Sequence, residues 1–361
     1  MASIAPIPRT QKGVKVSKQG IFIRDIPVPE PRDNEVLIKN QIVSSNPKDW
    51  KHVTYSDADI VQGNDTVGTI VRIGCNVENF KIGDYVVGFT PQRATLGEGD
   101  RFGCHAEYTV TSAATVFHMP PNKEAEEIVT LPLAIMTTSL ALFSPENLGL
   151  NPPYSLPSTH HNQKTIVING ASSSLGSFAV QLSKIAGYRV VGIAGGGGEY
   201  VKMLKADVVV DYRGKSKDEL AQEIISHGDG DDGLFEFGYD CVSDLDSIEM
   251  LSRVIKPKSG QLATVNPHLT DDQVSQFLSP KNIVHKKVFV YDVFEESHAR
   301  FCHDLFSWFP KALTDGTLRG NRYRVVPNGL SGIPEGLDLL RNGKVSAEKL
   351  VYRINETPGL N

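Results

Sequence analysis

Three consecutive hydroxyls, Ser172, Ser173 and Ser174, lie in the stretch TIVINGASSSLGSFAVQLSKIAG, residues 165–187. A β-branched apolar run precedes them, Gly170-Ala171 marks a turn, and an amphipathic run follows. That order predicts strand, tight turn and helix. Such a turn aims backbone N–H groups and a helix N-terminus at one point, where phosphate oxygens bind. A G-x-G-x-x-G loop would place glycines at 171, 173 and 176, whereas this chain has Ala171, Ser173 and Gly176. Only Gly176, the position that lets helix and strand approach closely, is kept. Serine hydroxyls can cap the helix and donate to phosphate oxygens. Two readings stand at this point: a phosphate cradle built on hydroxyls, or a plain strand-turn-helix that packs.

The end of the next strand bears on which nucleotide such a cradle takes. A fold that prefers NADH closes this strand with Asp or Glu, which hold the ribose hydroxyls. Here VVGIAGGGGEYVKML closes at Ala194 and runs into four glycines, the first of them Gly195. No carboxylate waits there to repel a 2′-phosphate, and Lys202 follows on the next helix as a cation. Glu199, close by, is the opposing charge. The balance favours NADPH as cofactor.

The elements that must position these groups fall into two regions. Residues 1–130 are rich in short β-branched runs (EVLIKNQIVSSN, VGTIVRIG, DYVVGF, HAEYTVTSAATVFHMP) separated by Gly, Asn, Asp and Pro, the pattern of a compact β domain. EAEEIVTLPLAIMTTSLALF reads as a helical stretch interrupted at Pro132, and a Pro-rich insert covers about 146–162. From residue 164 strands alternate with helices, which predicts a doubly wound parallel sheet. The tail, 312–361, gives strand, helix and strand, and its last strand can rejoin the N-terminal β domain. The expected fold class is α/β, with domains 1–130 plus 312–361 and 131–311.

Composition narrows the function. With 361 residues the chain is long enough for two cores. Net charge is −5, with no basic block, so a nucleic-acid partner is not expected. No apolar run approaches the ~20 residues of a membrane span, and MASIAPIPRTQKGVKVSKQG lacks the apolar centre of a secretory signal. A cytoplasmic protein is expected. The four cysteines are scattered, with no C-x-x-C pair and no metal-ligand spacing. Cys104-His105 and Cys302-His303 are adjacent pairs, which on a strand would point to opposite faces. No metal is expected.

The order of parts, with SNPKDWKH (45–52), GNDTVGTIVRIGCNV (63–77), KIGDYVVGF (81–89), HAEYTV (105–110), LPLAIMTTSLAL (131–142), GASSSLG (170–176), ADVVVDYR (206–213) and GKVSAEKLV (343–351), resembles the medium-chain dehydrogenase/reductase superfamily over nearly the whole chain. That resemblance implies a GroES-like β-rich catalytic domain and a Rossmann NADPH-binding domain. The zinc-dependent branch carries a Cys near NPKD and Gly-His-Glu where this chain has Gly63-Asn64-Asp65. The chain therefore resembles the zinc-independent quinone-oxidoreductase and enoyl-reductase members. The Pro-rich insert and NPKDWK resemble the fungal subgroup, which includes trans-acting enoyl reductases of polyketide synthases and yeast zinc-type aldehyde reductases. NPKDWKH is nearer the yeast proteins.

Site residues follow from the resemblance. Asn46 and Lys51 match the active-site segment, and Lys51 matches the lysine that assists at the substrate carbonyl. Thr137 matches the threonine on the nicotinamide side. Ala171, Ser172, Ser173, Ser174, Leu175 and Gly176 match the phosphate loop, with Ala194, Gly195, Lys202 and Tyr212 on the 2′-phosphate side. Val242, Ser243, Val265, Asn266 and Pro267 match strand ends that lean on the riboses. Val290 and Tyr291 match the segment over the nicotinamide, and Lys349 lies in an end motif near the cofactor in relatives. Without zinc, an enolate formed by hydride transfer needs a hydrogen-bond donor. Lys51 is the first candidate and Lys48 the second; Tyr55 and His52 are the second-choice acids. A solvated Lys51, a packed Tyr55 and an ordinary polar His52 are the competing readings.

Substrates of this kind are enones, enals, quinones or aldehydes, either free or held on an acyl-carrier protein or polyketide synthase. C=C and C=O reduction are not separable from these residues. A nucleotide-binding protein without turnover stays open beside the enzyme, as does the choice between monomer and homodimer.

Overall fold

A computed structural model describes residues 6–93, 96–155 and 164–360. Residues 156–162 of the Pro-rich insert lie outside the described residues; before them Pro153–Ser155 forms a single 3₁₀ turn. The chain divides into two units, Met1–Leu133 with Val293–Asn361, and Ala134–Asp292.

The first unit is built on the strand Glu35–Ser44, which pairs antiparallel with Asp65–Ile73, Tyr108–Ser112 and Lys349–Arg353. Asp65–Ile73 continues to Tyr85–Phe89 and Val116–His118, while Tyr323–Val325 closes the other edge beside Lys349–Arg353. Ser44 faces Asp65 on one side and Val351 on the other. Asp65 and the C-terminal strand are thus neighbours of one residue, despite their distance in sequence. A hairpin of Thr10–Ser17 and Gly20–Pro27 adds a second, three-stranded sheet with Ile60–Val61.

Chain return to this unit comes at Val293, ahead of residue 312. The reason is the helix Ala299–Thr314. It buries Cys302, Leu305, Phe306, Phe309, Ala312 and Leu313, the i, i+3, i+4 spacing of one apolar stripe. Phe306 and Phe309 of that stripe meet Phe117 at 5.9 and 6.3 Å between ring centroids. Pro132 is not a break inside one helix but the first residue of Pro132–Phe143, after a separate turn Ala125–Ile128. A proline N–H is not missed there.

The second unit is a six-stranded, all-parallel sheet. Its spatial order is Val208–Asp211, Arg189–Ala194, Thr165–Asn169, Phe237–Asp240, Gln261–Thr264 and Val284–Lys287. Counted along the chain this is 3-2-1-4-5-6, the doubly wound order whose ligand crevice opens where strands 1 and 4 diverge. Thr165–Asn169 is buried at every position, as a central parallel strand covered on both faces must be. No helix among the described residues is long and apolar enough to cross a membrane.

Candidate functional site

The serine loop sits at that switch point. Thr165–Asn169 ends in Gly170, whose φ of +69° is open to glycine at little cost. Ala171 N–H donates to the Ile193 carbonyl at 3.0 Å, tying the loop to the neighbouring strand. Ser173 is the N-cap of the helix Ser174–Ile185, and its Oγ accepts from Gly176 N–H at 3.1 Å. A Cβ on Gly176 would stand 2.2 Å from the Gly170 carbonyl oxygen and 2.6 Å from Ala171 Cα. Only glycine allows this closeness of helix to strand. Ser172, Ser173, Ser174 and Leu175 are half-buried around the cradle.

Strand 4 supplies the opposite lip. Cys241 N–H donates to the Asn169 carbonyl at 3.1 Å, and Val242 N–H to Asp240 Oδ1 at 3.0 Å. Ser243 adopts φ +57°, donates its hydroxyl to the Asp240 carbonyl and accepts from Val265 N–H. Asn266 Nδ2 donates to the Ser243 carbonyl at 3.1 Å. Val242, Ser243, Val265 and Asn266 therefore form one hydrogen-bonded rim, with Pro267 exposed at its edge. A Cβ on Gly170 would lie 2.9 Å from Val242 Cγ2, and Val242 is half exposed. An apolar side chain is thus presented beside the serine loop. Burial of Asp240 raises its pKa, against the hydrogen bonds from Ser247, Asn169 and Val242 that hold it.

Thr137 is buried on Pro132–Phe143, and its neighbour Thr138 donates to the Leu175 carbonyl at 3.1 Å. That bond links the helix to the cradle. Val290 and Tyr291 are buried as well, Tyr291 meeting the Phe289 ring at 5.3 Å. At the exit of the second strand, Ala194 is followed by Gly195, where a Cβ would come within 2.9 Å of Tyr212 Cζ and Oη. Lys202 is bound at 2.7 Å to Glu199 on the same short helix. Arg213, not among the residues the sequence pattern points to, also lies by this exit.

In the first unit the segment that holds Asn46 and Lys51 forms the helix Pro47–Lys51, with Asn46 as its N-cap. Asp49 Oδ2 accepts from Asn46 N–H at 2.7 Å. Asn46 Nδ2 donates to Asp65 Oδ2 at 2.7 Å, and so do Ser44 Oγ at 2.9 Å and Lys349 Nζ at 2.6 Å. Leu133 N–H donates to Asp65 Oδ1 at 2.7 Å. Asp65 is the hub that fixes Asn46. Lys349 is buried, its ammonium held by Asp65 and the Thr130 carbonyl.

The other candidates on this segment separate by environment. Lys51 is exposed, with Nζ 5.7 Å from the Trp50 ring centroid. Lys48 is turned inward, donating to Gln62 Oε1 and the Gln92 carbonyl, each at 2.9 Å. His52 is buried with Nδ1 3.3 Å from the Asp49 carbonyl and Nε2 3.1 Å from that of Ala58, so its ring lies between two local backbone acceptors. Tyr55 is 42% exposed. Cys104 and His105 lie outside any strand, and both face the space where a Gly63 Cβ would stand, at 2.8 and 2.5 Å. Burial lowers the His105 pKa, favouring the neutral ring.

Comparison with known proteins agrees with this layout. Residues 32–121 match the alcohol dehydrogenase GroES-like domain. The trans-enoyl reductase fsr4 of Gibberella fujikuroi is 33% identical over 321 residues, spanning 86% of this chain and 89% of its own. The chain belongs to the medium-chain dehydrogenase/reductase family. An uncharacterised protein of Saccharomyces cerevisiae is 28% identical over 97% of this chain and 99% of its own. An alcohol dehydrogenase superfamily protein from Novosphingobium aromaticivorans shares the fold with a TM-score of 0.77, at 22% identity over 95% of this chain and 99% of that one.

Membership of this family of oxidoreductases implies a nicotinamide cofactor, and the second unit fits one. The serine loop at Gly176, the rim of Val242 and Ser243, and the Gly195 exit with Tyr212 packed on it all lie at the carboxyl ends of the parallel strands, where a sheet of this order takes a dinucleotide. In this medium-chain reductase the Gly63-Asn64-Asp65 segment is engaged by protein groups. Asn64 Nδ2 donates to the Thr90 and Gln92 carbonyls at 2.7 and 3.0 Å, and Asp65 pairs with Lys349. Among the described residues, no cluster of three or more His, Cys, Asp and Glu side chains is arranged to hold a metal ion.

Proposed function

We propose that the protein is a zinc-independent, NADPH-dependent reductase acting on α,β-unsaturated carbonyl compounds, of the enoyl, enone or quinone kind. The observation that carries the cofactor choice is the exit of the second parallel strand. Ala194 and Gly195 offer no carboxylate to a ribose, and Tyr212 packs on Gly195. The name of the Gibberella relative, a trans-enoyl reductase, supports the substrate class.

Ser172, Ser173, Ser174 and the amides around Gly176 would hold the pyrophosphate, and Val242, Ser243, Val265 and Asn266 the riboses. When bound, the nicotinamide supplies a hydride to the substrate's β-carbon. The substrate oxygen then gains negative charge, and a positioned donor stabilises it. Lys51 is assigned that task because its ammonium is the exposed cation of the segment, whereas that of Lys48 is committed to Gln62 and Gln92. Asn46 caps the helix that carries Lys51 and is itself anchored on Asp65. Tyr55, also exposed, is the acid assigned to return the proton to the α-carbon.

Titration with NADPH and NADH, followed by nucleotide fluorescence, tests the first half. Nucleotide consumption with enals, enones, quinones and aldehydes tests the second. Preferential NADPH binding with turnover of enones is the expected result. Binding of neither nucleotide sinks the cofactor assignment, and turnover of saturated aldehydes alone sinks the substrate class.

A further inference from the structure

We propose that Arg213, oriented by Asp211, is the residue that reads the nucleotide's 2′-phosphate; this rests on the NADPH reading above. Strand register brings the parts together. Ala194 is the parallel partner of Asp211, so the two strands end side by side. Residues 212–213 after one end therefore lie beside residues 195–196 after the other. The Tyr212 ring occupies the space over Gly195, and Arg213 Nη1 lies 3.8 Å from the position a Cβ would take on Gly196. Small residues at the exit of one strand make room for two large side chains from the other.

A guanidinium presents five N–H donors along distinct edges. Asp211 occupies the inner edge: Nε donates to Oδ1 at 3.0 Å and Oδ2 at 3.2 Å, and Nη2 to Oδ2 at 2.6 Å. Backbone N–H of Arg213 adds a bond to Asp211 Oδ1 at 3.0 Å. Nη1, on the edge toward the glycines, makes no hydrogen bond among the described residues. The side chain is 60% exposed yet fixed in direction. A planar fork so oriented matches the geometry of a phosphate group.

Neighbouring cations are paired too, but by point contacts of an ammonium and not by a two-nitrogen fork. Lys202, the cation the sequence favours, is held by Glu199 at 2.7 Å. Lys215 donates to the Asp211 carbonyl at 2.7 Å and pairs with Glu223. Asp211 thus acts as a positioning residue, and Arg213 as the group that touches the ligand.

Equilibrium binding tests the assignment without turnover. Wild type, Arg213→Ala, Arg213→Lys and Lys202→Ala are titrated with NADPH, NADH and adenosine 2′,5′-bisphosphate. Arg213→Ala is expected to weaken NADPH and the bisphosphate about tenfold or more, as loss of a charge-assisted hydrogen bond does, and to leave NADH unchanged. Arg213→Lys, which keeps the charge but not the fork, should recover part of the loss. The proposal is overturned if Arg213→Ala keeps the wild-type NADPH preference, weakens both nucleotides equally, or is outdone by Lys202→Ala. A wild type that binds NADH as tightly as NADPH instead refutes the underlying cofactor reading, before any variant is made.

Discussion

The ammonium of Lys349 lies 2.6 Å from Oδ2 of Asp65, with side-chain exposures of 3% and 0%. One strand from each end of the first unit's sequence is locked to the other by this pair, and Asn46 hangs from the same carboxylate oxygen. A buried pair is costly to break from one side only, because the surviving charge stays in a medium that solvates it poorly. Lys349→Met is expected to destabilise the protein by about 3–5 kcal/mol. Adding Asp65→Asn to it should restore much of the loss. Urea denaturation of the two single variants and the double variant measures the coupling; simple additivity would show that the pair is not a unit.

The sequence makes the second unit more legible than the first, for physical reasons. Its inner strands are apolar runs closed by Gly, Asp or Asn, so Thr165–Asn169, Arg189–Ala194 and Phe237–Asp240 can be read directly. Val284–Lys287 (VHKK) is the sheet's last strand and carries the charge expected of an edge, which hides it from a search for apolar runs. Thr10–Ser17 is hidden differently: TQKGVKVS alternates lysine with small residues, and Gly13 yields its space to Ile26 and Val61. The Asp65 hub is a matter of register across Ser44, with no local motif to signal it. Arg213 is masked by its own short-range pairing with Asp211, which resembles an ordinary surface ion pair.

Gly176→Ala tests the cradle as packing. The added methyl must displace the Gly170 carbonyl or shift the helix, since its carbon would stand 2.2 Å from that oxygen. Overpacking of this kind costs about 1–3 kcal/mol, read as a lower thermal midpoint. NADPH and NADH should both weaken, and to the same degree, because the pyrophosphate is common to them. A variant with normal midpoint and normal affinity for both would show that the loop's closeness is dispensable.

Lys51→Ala and Lys48→Ala should fail in different ways. Lys51 is exposed beside Trp50, so its removal is expected to leave the thermal midpoint intact and lower kcat about 100- to 1000-fold. Lys48 holds Gln62 and the Gln92 carbonyl, and its removal should lower the midpoint first. Steady-state kinetics beside thermal unfolding separates the two. Equal loss of rate in both variants without loss of stability in either would reassign the donor.

The preference for NADPH should itself depend on pH, with a predictable sign. Hydrogen bonds from Arg213 pull the Asp211 pKa down to about 2, so its carboxylate stays ionised throughout the working range. Its folded pKa is depressed, so what the pair adds to stability is present above about 3.9 and fades only as pH falls toward the folded value. The same pairing raises the Arg213 pKa, and its guanidinium stays charged. Lys202 and Lys215 are bound to Glu199 and Glu223 nearby. What changes is the ligand: a phosphate monoester dianion takes up one proton, at its second pKa of about 6, and becomes a monoanion. The ratio of NADH to NADPH dissociation constants is therefore expected to fall as pH drops from 7 to about 5, with NADH affinity flat and the change smaller at high salt. Titrations across that range give the ratio directly. A ratio that holds constant while wild type still prefers NADPH would mean that the ligand's second charge is not what the strand exit recognises.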